Sequence, residues 1–172
     1  MNSLAPSTHL AQAAESDLQS FVLLRLGERR FAVPATHIAE LVPPSRVFRF
    51  PHRTSDIEGV ILRRGRIVPV CDVAEKLIGK RLTSRRFYLI AHRRYASHTE
   101  WIAIPVTGQC ELITVEMTPS GETDPPHVAG WLSHDGDVIE ALNLIALTPG
   151  PTATIAKSAP AANLTETQEA RP

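Results

Sequence analysis

Residues 31–79 can be laid on residues 102–150 at a constant offset of 71, and the matching positions are of the kinds that fix backbone shape. Phe31-Ala32-Val33-Pro34 falls on Ile102-Ala103-Ile104-Pro105, and Ala39-Glu40-Leu41-Val42 on Cys110-Glu111-Leu112-Ile113. Gly59, Gly65 and Gly79 fall on Gly130, Gly136 and Gly150, Val68 on Ile139, and Asp72 on Asn143. Each copy is therefore expected to hold a hairpin, a strand, a second hairpin and a short capped helix, with glycines where turns need positive φ. That reading gives two similar β-barrel-like halves packed together.

Short apolar runs broken by Gly, Pro and charged turns support it, and predict ten strands at 21–26, 30–33, 37–42, 58–63, 66–71, 87–92, 101–106, 111–115, 128–133 and 138–142. Helical signal is thin. Its best case is 73–78, where Asp72 can cap, Glu75 stands three residues later as in a capping box, and Gly79 supplies the stop. The expected fold class is all-β with short helices. Residues 1–19 and 149–172 are small, polar or rich in Pro, Ala and Thr, too poor in large apolar groups to offset ordering entropy, and are expected to be disordered around one domain at 20–148.

The formal net charge of zero hides an asymmetry. Between Arg46 and Arg94, 13 Lys and Arg meet four acids, a net of +9; from Tyr95 to Gly150 there are eight acids and no Lys or Arg. Such a split can orient a partner within the screening length of about 8 Å at cellular salt. No apolar run approaches a membrane span and the N-terminus lacks a secretory pattern, so the expected location is the cytoplasm, without direct membrane insertion. Cys71 and Cys110 form no CxxC pair and read as buried small hydrophobes.

Enzyme chemistry finds little support. The seven histidines are scattered with no HExxH or short HxH pair, and there is no Walker A or G-x-G-x-x-G loop, so neither a metal nor another cofactor is expected. A histidine site assembled only in space is the remaining catalytic alternative. Arg63, Arg64, Arg66, Arg81, Arg85, Arg86, Arg93 and Arg94 suit phosphates, which makes a single-stranded nucleic-acid-binding barrel the alternative from another class. Only Phe87, Tyr88 and Tyr95 accompany them, and the pI is near 7.1. A solvated basic face or a protein partner is favoured over nucleic acid.

The run Phe21-Val22-Leu23-Leu24-Arg25-Leu26-Gly27, the strand Phe31-Ala32-Val33-Pro34, Ile38-Ala39-Glu40-Leu41, and Gly59-Val60, Arg64-Gly65 and Ile67-Val68-Pro69-Val70-Cys71-Asp72-Val73 together resemble the chemotaxis coupling proteins, or CheW-like domains, over 21–147. The resemblance implies two intertwined five-stranded barrels with an SH3-like look. It also implies a scaffold, not a catalyst, bridging the cytoplasmic tip of a chemoreceptor to the regulatory domain of a CheA-type histidine kinase, with a possible head-to-tail ring of homologous domains. Carried over by position, Glu40, Gly59, Arg63, Arg64, Gly65, Phe87 and Tyr88 belong to the receptor-binding groove between barrels, and Ile38 to the kinase-facing surface. Two departures stand out: Leu62-Arg63 replaces the family's Asn-Leu, and Val106-Thr107 its Val-Asp. Glu140 in an otherwise apolar strand, and Pro69 in another, suggest edges, bulges or a shifted register.

Overall fold

All ten expected strands are present in the computed structural model, which describes residues 17–49, 57–95 and 98–148. They are β1 (Leu18–Leu26), β2 (Arg29–Pro34), β3 (Ile38–Val42), β4 (Ile57–Arg63), β5 (Arg66–Cys71), β6 (Phe87–Tyr95), β7 (His98–Val106), β8 (Glu111–Pro119), β9 (Val128–His134) and β10 (Asp137–Leu142), with helices α1 (Ala74–Ile78) and α2 (Leu144–Leu147). A 3-10 turn at Ala35–His37 leads into β3. β1 begins at Leu18, inside the stretch expected to be disordered, because Leu18 and Gln19 pair with Glu116 and Val115 of β8. Residues 1–16 of that stretch, and the expected tail at 149–172, lie outside the described residues.

The copies do not fold as separate halves. β1 and β2 of the first copy join β8, β9 and β10 of the second in a closed barrel ordered β1-β2-β10-β9-β8, here the terminal barrel. β3, β4 and β5 join β6 and β7 in the order β3-β6-β7-β5-β4, the middle barrel. Shifted by the offset, the two orders are the same cycle, so the copies have exchanged their leading hairpins. Pro34 and the three-residue turn after it leave no room for β3 to fold back on β2, and the chain passes straight into the other barrel.

Alternating strands then supply three cores. Phe21, Leu23, Ala32, Ile113, Leu132 and Ile139 fill the terminal barrel, and Val42, Ile61, Val68, Val70, Tyr88 and Ile90 the middle one. The opposite faces, among them Leu24, Phe31, Val33, Leu89, Ile102 and Ile104, meet between the barrels with Leu77 of α1 and Leu144 and Leu147 of α2. The largest of the three clusters is thus the one shared by both barrels, which makes them one body.

The barrels close unequally. Met117, Thr118 and Pro119 of β8 pair with Leu132, Trp131 and Gly130 of β9, whereas among the described residues the middle barrel is closed by the pair Phe48 and Val60, joined by two backbone bonds of 2.8 and 2.9 Å. β3 stops at Val42 because Pro43 and Pro44, at the places of Thr114 and Val115 in β8, cannot donate to a ladder. Gly59 and Gly130 sit at these closures, in strands and without positive φ. A Cβ on Gly59 would lie 2.5 Å from the Phe48 carbonyl oxygen, and one on Gly130 2.5 Å from that of Thr118. The expectation that these glycines serve turns is corrected to close backbone approach.

Asp72 accepts from the Ala74 N–H at 3.1 Å, but Glu75 closes no capping box: it is exposed and paired with Arg81. Asn143, its counterpart, accepts from the Ile145 and Ala146 N–H groups and caps α2. β10 is not an edge, since it runs between β2 and β9, and Glu140 is held there by Arg29, with the irregularity of register falling one residue on. β5 is likewise flanked on both sides, with Pro69 opposite Val60.

Candidate interaction site at the barrel mouths

The β4–β5 hairpin brings three arginines to one end of the middle barrel. Arg63 and Arg66 face each other across it, and Arg64 (φ 49°) and Gly65 (φ 75°) make a two-residue turn of the type whose positive dihedrals match strand twist. Arg63 Nε and Nη2 donate to the two carboxylate oxygens of Glu40 at 2.9 and 2.7 Å, and Arg64 Nη2 donates to the nearer one at 3.1 Å. The hydrogen bonds from Arg63 hold the Glu40 carboxyl below the usual carboxylate range; partial burial opposes this, and the charges of both arginines add to it. The same bonds raise the pKa of Arg63. The Arg66 guanidinium lies 5.0 Å over the Trp101 ring. Between these groups opens a cavity of about 200 Å³ whose lining includes Ala39 and Trp101 and the barrel-core side chains Val68 and Ile90.

An arginine in the left-handed region costs about 1 kcal/mol that asparagine, aspartate or glycine would largely avoid. The copy of this turn uses Asp135 (φ 52°) before Gly136 (φ 81°), the pattern such turns favour. With its side chain 75% exposed, Arg64 has no packing role that requires it, so its presence is accounted for by its charge.

The end of the terminal barrel has the same construction and the opposite sign. Asp137 stands where Arg66 does, Asp135 at the Arg64 position, His134 at Arg63, Glu111 at Glu40, and Arg30 at Trp101. Arg30 pairs with Asp137 and reaches Asp135 at 4.0 Å, and His134 Nε2 lies 3.2 Å from Asp135 and 3.8 Å from Glu111. At the matched positions, three arginines against Glu40 leave +2 on the middle barrel, and Glu111, Asp135 and Asp137 against Arg30 leave −2 on the terminal one.

Of the residues singled out from the sequence, Glu40, Arg63, Arg64 and Gly65 come together, at the mouth of the middle barrel and not in a groove between barrels. Their neighbours Val68 and Ile90 belong to the core inside the barrel. Gly59 lies farther down β4 at the closure, Tyr88 is buried at 2% exposure inside the barrel, and Phe87 and Ile38 pack against the core between the barrels. Tyr88 is buried and the half-buried Phe87 ring has the Arg86 guanidinium 5.7 Å over it, which weakens the nucleic-acid alternative. Sequence reasoning missed Trp101 as the partner of Arg66, and the cross-strand pair Leu62 and Ile67, 64% and 71% exposed on the outer hairpin face. Strand alternation carries the signal for the pair, since both residues lie out of phase with Ile61 and Val68. Among the described residues, no three His, Cys, Asp or Glu converge to hold a metal ion, and no helix is long and apolar enough to cross a membrane.

Comparison with known proteins bears on this arrangement. Residues 20–98 match the family described as CheW-like domain. The chain is 27% identical over 151 residues to Protein FrzA of Myxococcus xanthus, an alignment covering 83% of this chain and 90% of that protein. The fold is similar to the crystal structure of scaffolding protein TtCheW from Thermoanaerobacter tengcongensis, with a TM-score of 0.64 at 21% identity over 75% of this chain and 86% of the other.

Proposed function

We propose that the chain, whose residues 20–98 match the CheW-like domain family, is a cytoplasmic, non-enzymatic adaptor of the chemotaxis kind that couples chemoreceptors to a CheA-type histidine kinase. The observation that carries this reading is the pair of matched mouths, +2 on one barrel and −2 on the other. The shared core makes the two barrels one body, so a partner held at one end is held in fixed relation to a partner at the other. In our reading, the Arg63-Arg64-Arg66 mouth with Glu40, flanked by Leu62 and Ile67, receives an acidic surface of the receptor tip or of a homologous domain. The Asp135-Asp137 mouth receives a basic one. Contacts of this head-to-tail kind close into rings where the rotation permits.

Replacing Arg63, Arg64 and Arg66 together by Glu tests it. The expected result is a loss of co-sedimentation with receptor and kinase of about tenfold or more, with the residual binding less sensitive to salt. Reversing Asp135 and Asp137 to Arg in a second copy should restore association between the two variants. Unchanged co-sedimentation of the triple variant would sink the reading.

A further inference from the structure

Most described arginines have an answering group. Arg29, Arg30, Arg49, Arg63, Arg64, Arg81, Arg85 and Arg93 pair with carboxylates, and Arg46 and Arg66 lie over aromatic rings about 5 Å away. Among the described residues Arg25, Lys76, Lys80, Arg86 and Arg94 have no carboxylate partner; Lys76 donates to the Leu147 carbonyl and Arg86 lies 5.7 Å over the Phe87 ring, and Arg25, Lys80 and Arg86 line the surface beside the β1–β2 turn. The groove consists of two cavities of about 450 and 410 Å³ that share Arg25 and Thr107 in their linings. Arg86 and Gly108 lie along the first part, and Glu28, Lys80 and Arg81, the last paired with Glu75, along the second, so the five cations of the combined lining outnumber its two acids, Glu28 and Glu111. Where the first part meets the terminal mouth, Arg30 is already neutralised by Asp137, and Glu111 is exposed.

The groove is shaped in advance. Thr107 clips the turn: its N–H and its hydroxyl both donate to the Arg25 carbonyl, at 2.9 and 3.0 Å, while the hydroxyl oxygen accepts from the Gly27 N–H at 3.0 Å. The stem of Arg25 lies flat on Gly108, where an added Cβ would come within 3.3 Å of Arg25 Cδ. The guanidinium therefore starts from a fixed stem. Position 107 is also where this chain departs from the Val-Asp pattern of the proteins it resembles. An aspartate there would keep the backbone bond and could accept from Gly27, but its side chain could not donate to the Arg25 carbonyl, and it would set a carboxylate beside Arg25. Threonine keeps the clip and leaves the cation uncompensated.

We propose that this groove is a docking site for an acidic, extended segment of a partner protein, and that Thr107 is what opens it to such a partner. Charge complementarity sets the chemistry. Two cavities that share Arg25 and Thr107 in their linings offer more room than a compact ion fills, which suits a segment of chain. Neither cavity is lined by an aromatic side chain, so the stacking that single-stranded nucleic acid requires is lacking. The site uses none of the middle-mouth arginines and stands or falls independently of the adaptor reading.

The test is fluorescence anisotropy of a labelled Glu-rich peptide with the full chain at low and at high salt. Binding should appear at low salt and weaken as salt rises. Arg25→Glu with Arg86→Glu should lower affinity at least tenfold, and Thr107→Asp by about fivefold, while Thr107→Ser, which keeps the clip, leaves it unchanged. Arg63→Glu with Arg64→Glu should bind the peptide like the parent chain, and its failure in receptor co-sedimentation would then be a separate result. Peptide affinity that is absent in the parent chain, or unaffected by the Arg25 and Arg86 reversals, overturns the proposal. So does tighter binding of a labelled oligothymidylate at the same groove, which would make it a nucleic-acid site.

Discussion

Gly59→Ala separates a structural glycine from a contact residue at the middle barrel. The new Cβ would stand 2.5 Å from the Phe48 carbonyl oxygen, 2.8 Å from Val47 Cγ1 and 3.1 Å from the Phe48 carbonyl carbon, so the strand carrying Phe48 has to retreat by about 0.7 Å to restore ordinary contact. That retreat stretches both Phe48–Val60 backbone bonds, which close the barrel and contribute about 1 kcal/mol each. Overpacking against backbone adds about 1–3 kcal/mol, and the lower entropy of the unfolded alanine chain returns roughly 0.5–1 kcal/mol. The net expected loss is about 2 kcal/mol. With a urea dependence of about 2 kcal/mol per molar, the unfolding midpoint falls by about 1 M. Tryptophan fluorescence follows both barrels, since Trp101 lies in the middle barrel and Trp131 in the terminal one. Gly65→Asn is the control: its φ is +75°, nothing lies within 4 Å, and asparagine tolerates that region, so the cost stays below about 0.5 kcal/mol. A Gly59→Ala midpoint within error of the parent chain would refute the argument, and a partner-binding defect in a variant of normal stability would return Gly59 to the contact surface.

Two further perturbations test a buried and a half-buried group. Arg93, 2% exposed, donates to Glu100 at 2.9 Å and to the Leu144 carbonyl and Thr148 hydroxyl of the α2 end, so Arg93→Leu should cost about 3 kcal/mol in urea unfolding. The double change with Glu100→Leu should cost less than the single one, and equal or greater loss would mean that the buried charge is not what is being exposed. His37 is held below its ordinary pKa by burial, and then by the His92 ring 6.4 Å away. The unfolded chain therefore takes up a proton that the folded chain refuses, and stability falls as pH drops below about 6.5. His37→Gln should flatten urea midpoints measured between about pH 5 and 7; an undiminished slope would assign the effect to another group.

Alternation and punctuation make most strands legible, because most are half-buried and bounded by Gly, Pro or charged turns. The duplication was legible for the same reason that its strand exchange was not. An offset compares each residue with its counterpart, and the counterparts keep the same neighbours in kind whether those neighbours come from the same copy or the other. The exchange depends on the three-residue link after Pro34, whose direction is set by packing between barrels. At the site, the bond between Glu40 and Arg63 spans 23 residues, and the stacking of Arg66 on Trp101 spans 35, distances over which no local pattern operates. The resemblance puts Tyr88 in the receptor groove, and the continuous apolar run of β6 offers nothing against it, yet Leu89 and Ala91 face the core between barrels while Tyr88 and Ile90 face the barrel interior. A strand buried on both faces shows no alternation to read.

The way the two mouths differ argues against neutral drift of an exposed surface. At the terminal mouth Arg30 and Asp137 form a pair; at the matched positions of the middle mouth the pair is Trp101 and Arg66. The contact across the barrel end survives, while its net charge moves from 0 to +1. Arg64 replaces Asp135 in the same left-handed conformation despite being the less suited residue, and adds two more units of difference. Substitutions tolerated at random on a surface need preserve neither the contact nor the turn, and have no reason to accept strain. Both features held while three of the four charge differences, at Arg63, Arg64 and Arg66, run toward positive charge at one end and only Trp101 in place of Arg30 runs the other way, the pattern expected when the backbone of a duplicated site is kept and its sign is selected. The glycines common to both copies thus belong to the fold, and the residues by which the copies differ are where partner choice resides.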